Sequence, residues 1–357
     1  TVAHGGQACV PSTVTVAHGG QAPAAHSKSS ALSEHKMATV RLHPDAVSFM
    51  AACGDLLLSH VAMNQHLLSN AHNTSLDSTS RLLFSVLDGN DQVVAAVVVA
   101  QVMNRQSFVA ATIAGALSPD AAKAVVQSAR EENASLVSRV SMSMGGPASR
   151  QAFASAFLDA FPGVTATPGL SAIAMELRGD CALASAAPGG TLQRVVSVGD
   201  STAGALTTDL CVCSAALLDC LAAWNVEFAR DALGSVSAPP SLDECRETLR
   251  EGPLSRGDLY VWHVEGEGVV SMACVGRRLL EIGVSLSLVY TPPERRGNGY
   301  AGQLLAAMCS ALSAQGKRVF LLADASSRFG TVRLYERLGF SNDGEYGDIR
   351  FTREAQA

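Results

Sequence analysis

The sequence predicts an α+β protein built from two successive halves, and three observations carry that reading. Each half holds one hairpin signal, in which two β-rich runs are joined by about four turn residues. Apolar residues at helical spacing flank both hairpins. In the second half a strand runs through a glycine turn directly into a helix. The length of 357 residues allows two domains at roughly 150 residues each. With 48% hydrophobic against 16% charged residues there is apolar material for a sizeable core, which excludes a wholly disordered, collagen-like or coiled-coil chain.

Residues 1–36 stand apart. Thr1-Val2-Ala3-His4-Gly5-Gly6-Gln7-Ala8 recurs as Thr15-Val16-Ala17-His18-Gly19-Gly20-Gln21-Ala22, in a stretch without aromatic residues and almost without charge. Such a segment cannot bury a core, and a disordered low-complexity tail is expected. A transit peptide would carry arginines, and this stretch has none. The first half, residues 37–180, carries its hairpin in Leu82–Leu87, Asp88-Gly89-Asn90-Asp91 and Val93–Val102. The loop Ala184-Ser185-Ala186-Ala187-Pro188-Gly189-Gly190 separates it from the second half, residues 190–357. There the hairpin is Leu259–Val264, Glu265-Gly266-Glu267-Gly268 and Val269–Val275. All five tyrosines and both tryptophans lie after residue 180, so a phenol or ring stack must come from the second half.

Several function classes are disfavoured. A net charge of −6 lacks the basic excess of a nucleic-acid binder. No apolar run of about 18 residues occurs, so no membrane helix is expected, and a cytoplasmic location is anticipated. The nine cysteines form no C-x-x-C pair, in keeping with a reducing compartment. Cys211 and Cys213 read as two ordinary thiols, and no metal is expected.

The chemically informative segment starts with the strand Val284–Thr291, which Pro292 and Pro293 end. Glu294-Arg295-Arg296-Gly297-Asn298-Gly299 follows, and then Ala301, Leu304, Leu305, Met308 and Leu312 recur at helical spacing up to Gly316. Such a turn presents backbone N–H groups and the positive end of a helix dipole, which favour a phosphate. Arg295 and Arg296 add positive charge there. On residue types alone, an anion site and a tight connecting loop are equal readings.

The wider pattern is more specific. Arg296-Gly297-Asn298-Gly299-Tyr300-Ala301, entered by a strand, resembles the acyl-CoA-binding motif R/Q-x-x-G-x-G/A of the GNAT superfamily of N-acetyltransferases. Leu334-Tyr335-Glu336-Arg337-Leu338-Gly339-Phe340 resembles the family's Y-x-x-x-G-F element, and Ser287–Glu294, Val270-Ser271-Met272-Ala273 and Arg350-Phe351 are similar to one branch of it. The likeness spans roughly residues 190–352. It implies a mixed, mostly antiparallel sheet flanked by helices, in two tandem copies, with residues 190–357 as the catalytic domain. Residues 37–180 resemble a degenerate, non-catalytic copy through their hairpin and through Gly145-Gly146-Pro147 and Phe153.

The resemblance further implies transfer of acetyl from acetyl-CoA to a primary amine, on a small molecule or peptide, by direct attack in a ternary complex. The backbone of Gly297, Asn298, Gly299, Tyr300 and Ala301 would hold the pyrophosphate. Leu288, Val289 and Tyr290 would pair with the pantetheine arm, with the Val289 N–H on the thioester carbonyl. Tyr335 falls at the position of the general acid, against the plainer role of a core side chain. The base is left open: Glu281, where the central strand begins, comes first, then Asp324 at the end of the next strand, then Asp348 and Glu345, with a surface carboxylate the commoner role for each. One departure is plain: where the family often has an asparagine, this chain has Ser326-Ser327-Arg328-Phe329, and Ser327 or Arg328 would substitute, Arg328 within reach of a phosphate. That departure keeps two alternatives open, a different acyl-CoA donor as in glycine N-acyltransferase-like enzymes and a non-catalytic CoA-binding sensor. The G-x-G-x-x-G and G-x-x-x-x-G-K-[ST] phosphate motifs are absent.

Overall fold

The computed structural model describes residues 38–73, 76–77, 79–102, 108–179, 181, 189–197, 209–233, 238–279, 281–327 and 329–353. The expected tail, most of the loop between the halves, and Arg328 lie outside the described residues.

The first half runs β1 (Thr39–His43), α1 (Ala46–Ser59), α2 (Val61–Ala71), β2 (Arg81–Leu87), β3 (Val93–Val102), β4 (Phe108–Gly115), α3 (Pro119–Val137), β5 (Val140–Gly145), α4 (Pro147–Ala160) and β6 (Val164–Leu177). The second runs β7 (Thr191–Val196), a short β8 (Leu210–Val212), α5 (Ala215–Leu233), α6 (Leu242–Leu249), β9 (Leu259–Val264), β10 (Gly268–Leu279), β11 (Gly283–Tyr290), α7 (Tyr300–Ala314), β12 (Arg318–Asp324), α8 (Thr331–Arg337) and β13 (Phe340–Arg353). Apart from β8, the two halves repeat one order of strands and helices. Both expected hairpins are present, as β2–β3 and β9–β10. The Asp88 carboxylate holds the first turn by accepting from the N–H groups of Asn90 (2.8 Å) and Gln92 (3.0 Å).

Among the described residues thirteen strands form one sheet, in the order β1-β2-β3-β4-β5-β13-β6-β12-β11-β10-β9-β7-β8. The pairs β4–β5, β11–β12 and β7–β8 are parallel and the rest antiparallel. The fold is therefore the mixed, mostly antiparallel sheet anticipated. The order also shows something hydrophobic patterning does not carry. β13 lies between β5 and β6, and β6 lies between β13 and β12. Each half thus sends its last strand into the other, and the two 14-residue strands pair antiparallel from Phe340↔Leu177 to Arg353↔Val164.

Helices cover both faces, which is why the central strands read as continuous apolar runs. In the first half α3 and α4 pack on one face, with Phe153 and Phe157 in that core, and α1 and α2 pack on the other. In the second half α7 and α8 share a core with Leu286, Val319 and Leu321, while α5 and α6 pack the opposite face against Val261, Met272 and Tyr290. Helix α2 crosses the junction: its Leu67, Leu68 and Ala71 share a core with Leu279, Phe320 and Tyr346 of the second half. Each fully buried leucine there contributes about 1.5–3 kcal/mol, so the halves are tied by packing as well as by exchanged strands.

Candidate active site

β11 and β12 begin side by side and then separate. They pair over Gly283–Ser285 with Arg318–Phe320, and no further pair follows. β12 continues in register with β6 as far as Asp324. β11 continues on its other side with β10, but its register shifts: Met272 opposes Tyr290, whereas Cys274 opposes Ser287. One extra residue is thus held in β11. Leu288 marks the spot with φ 53°, a left-handed value rare for a branched side chain. The bulge also resets the alternation of faces. Leu286 and Val289 pack on the α7 side, and Leu288 and Tyr290 on the α5–α6 side. The strand therefore leaves its neighbour and turns its backbone at Leu288, Val289 and Tyr290, the segment assigned to the pantetheine arm. An edge of unpaired backbone in such a gap can accept an added strand.

Past β11, Pro292–Arg296 make a short turn and Gly299 starts α7 in the left-handed region, φ 79°. Among the described residues no side chain caps α7. The first backbone donor of the helix ladder is Gln303, to the carbonyl of Gly299 (3.0 Å), which leaves the N–H groups ahead of it free of the ladder. A Cβ at Gly297 would meet nothing within 4 Å, so the turn is open. These features fit a pyrophosphate. In the first half the equivalent turn is closed. Ser118 caps α3 by accepting from the Ala121 N–H (3.2 Å), Pro119 takes the first helical position, and Asp120 places a negative charge in the first turn.

The two arginines that add positive charge beside the turn are each paired with a carboxylate. Arg295 pairs with Glu267, which also accepts from the Tyr300 hydroxyl (3.2 Å). Arg296 donates to the Thr291 carbonyl (2.9 Å) and to Asp231 of α5 (2.8 Å), and its guanidinium lies over the rings of Phe329 (4.3 Å) and Tyr290 (5.4 Å). Both hold the turn in shape through carboxylates distant in sequence. Glu267 and Asp231 carried no signal that could have assigned them this task.

Tyr335 lies on α8, the helix that follows β12, and shares the α7–α8 core. Its ring meets Phe340 edge-on at 6.0 Å, and burial pushes its phenol up to about 12. Glu281 requires a correction. Its side chain is fully exposed and pairs with Lys317 (3.0 Å), in the turn that precedes β11. The strand between it and Tyr290 is about 23 Å long at 3.3 Å per residue, so Glu281 is at the wrong end of β11 to act as base. Of the weaker candidates, Asp324 ends β12 and accepts from the N–H (2.8 Å) and hydroxyl (2.7 Å) of Ser326. Asp348 is held by the Leu170 N–H (2.7 Å) and Arg350 (3.0 Å).

A second concavity was not foreseen from the sequence. A cleft of about 570 Å³ opens between the end of α2 (Leu68, His72, Asn73) and β10, with Arg256, Arg277 and Arg278 in its wall. Arg277 donates to His66 Nε2 (2.7 Å), and His66 stacks on Tyr346 at 5.3 Å.

Residues 268–347 match the family model described as FR47-like protein. Among solved structures, the chain is similar to a GCN5-related N-acetyltransferase from Sphaerobacter thermophilus, with a TM-score of 0.51 and 16% identity over 88% of this chain and 95% of that one. It is also similar to a Drosophila protein, with a TM-score of 0.50 and 13% identity over 88% and 98%. A search of curated proteins gives no match. The fold is that of the GCN5-related N-acetyltransferases, present in tandem, and the match to the FR47-like model falls in the C-terminal half.

Proposed function

We propose that the protein is an acyl-CoA-dependent N-acyltransferase that moves acetyl from acetyl-CoA to a primary amine. The observation that carries this reading is the parting of β11 from β12 beside an uncapped, glycine-opened helix start, found in the second half and closed in the first. In this reading the N–H groups from Gly297 to Ala301 hold the pyrophosphate, and the unpaired edge of Leu288–Tyr290 takes the pantetheine arm as an added strand. Amine and thioester then meet in one fixed geometry, which supplies much of the rate. The Val289 N–H polarises the thioester carbonyl. The amine nitrogen bonds to the carbonyl carbon, the C–S bond breaks, the leaving sulfur takes the Tyr335 proton, and the proton lost by the amine passes to solvent water, from which the phenol is reprotonated. A phenol raised to about 12 stays protonated at neutral pH.

The test is a calorimetric titration of the purified chain with acetyl-CoA, with dephospho- and desulfo-CoA as controls, followed by an amine screen with thiol detection. Micromolar binding and thiol release with an amine are expected. A folded protein that binds no CoA compound sinks the reading.

A further inference from the structure

The cleft between α2 and β10 is walled by both halves, and its charge is not balanced. Asp258, wholly buried, accepts from both Arg256 (3.0 Å) and Arg278. Arg277 pairs with no carboxylate among the described residues; its hydrogen-bond partner is His66 (2.7 Å). An arginine only donates, so His66 Nε2 accepts. Burial and the guanidinium hold His66 well below the usual histidine range, so the ring is neutral and supplies no counter-charge. Three arginines thus stand against one carboxylate. His72, in the same wall, has a buried Nε2 that finds no partner among the described residues. A cation turned to a cleft without a counter-charge is a standing cost, which a bound anion relieves.

The rest of the wall includes Leu68 of α2, Leu279 of β10 and Ile282. A volume of about 570 Å³ exceeds the need of a bare inorganic ion and suits a small organic molecule. Arg277 opposes Ser285 and Leu279 opposes Gly283, so the cleft lies at the end of β11 that is still paired with β12. Val289 is four residues beyond Ser285, about 13 Å along the strand at 3.3 Å per residue. The cleft is therefore a place apart from the groove assigned to acetyl-CoA, and its charge and shape are independent of what that groove holds.

We propose that this cleft is a second binding site, for a small organic acid. The carboxylate of the ligand sits on Arg277, with Arg256 and Arg278 at the rim, and its apolar body lies against Leu68, Leu279 and Ile282. Such a ligand touches α2 of the first half and β10 of the second at once, and so clamps the two halves together.

The test is calorimetry on the full chain with three probes at matched ionic strength: benzoate, benzamide and inorganic phosphate. Benzoate is expected to bind with a Kd of about 1 mM or below. It should exceed by at least about tenfold both benzamide, which has the same body without the charge, and phosphate, which has charge without the body. Arg277→Gln is expected to weaken benzoate by about ten- to a hundredfold, the scale of a lost charge-assisted contact, and to leave benzamide unchanged. Arg277→Lys restores part of the loss. Hydrogen exchange locates the ligand: benzoate is expected to slow amide exchange at the end of α2 around His72 and in β10 around Arg277, and to leave residues 288–301 unchanged. Benzamide or phosphate that binds as well as benzoate overturns the proposal, as does protection confined to residues 288–301 or no binding of benzoate at about ten times that Kd. If Arg277→Gln does not fold, Arg278→Gln, which leaves Asp258 paired with Arg256, is expected to weaken benzoate several-fold. An unchanged affinity in that variant overturns the site.

Discussion

Replacing Gly299 tests the pyrophosphate turn, because the structure separates two costs there. Gly299 opens α7 with φ 79°. Any L-residue at that value costs about 1–2 kcal/mol. Gly299→Ala carries this strain and little else, and in a chain of this size each kcal/mol lowers Tm by about 1–2 °C. Gly299→Glu adds a charge to the same strain. A carboxylate about 5 Å from a phosphate, at an effective dielectric near 20, is repelled by about 3 kcal/mol, which is on the order of a hundredfold in affinity. The two variants are therefore expected to melt alike, a few degrees below the parent, and to differ in acetyl-CoA binding. The Kd rises less than about tenfold for Gly299→Ala and at least about a hundredfold for Gly299→Glu. Calorimetry gives Kd, and differential scanning on the same samples gives Tm. A Gly299→Glu protein that binds acetyl-CoA within threefold of the parent would refute the placement of the pyrophosphate.

Three further predictions follow from the same geometry. Tyr335→Phe is expected to lower kcat by about a hundredfold or more with the acetyl-CoA Kd unchanged, and unaltered turnover removes Tyr335 from the mechanism. The same residue leaves a mark on stability at high pH. Its folded pKa of about 12 lies above the ordinary tyrosine value near 10, so its neutral form is fully stable below pH about 10, and stability falls as pH rises from about 10 toward 12, by about 1.4 kcal/mol per pH unit. Urea unfolding at pH 9 and pH 11.5 should show the loss in the parent to be about 2 kcal/mol larger than in Tyr335→Phe, and equal losses contradict the buried phenol. Finally, residues 190–357 expressed alone lose β6 and β5 as partners of β13 and uncover Tyr346, Ile349 and Phe351. That fragment is expected to show no cooperative unfolding transition, and a well-folded monomer would contradict the interdependence of the halves.

Much of the local structure was legible. The apolar run Val93–Val102 with its Asp88 turn became β3 of a hairpin, and the spacing from Ala301 to Leu312 became α7, stopped before Gly316. These signals rest on neighbours in sequence, on turn chemistry and on the periods of strand and helix. The site was legible only in part. The glycines of the turn announced a helix start because backbone freedom is a property of the residue itself. The state of Arg295 and Arg296 was not announced, since it depends on Glu267 and Asp231, which reach them through folding. Glu281 was misplaced for the same reason. Its position before the strand was read correctly, but which end of the strand parts from its neighbour is a matter of pairing with β12.

The sequence by itself determined the strands, the helices, the glycine turn and the resemblance they carry, because these follow from short-range sterics and from the apolar pattern each element presents. Only the tertiary structure decided that β6 and β13 change places, that β11 bulges at Leu288, and that Arg277 meets His66. The last pair is 211 residues apart in the chain. An apolar strand pairs as well with one apolar neighbour as another, and a charged side chain carries no mark of its partner. Such choices are settled only when the whole sheet closes and every buried group must find what the rest of the chain has brought to it.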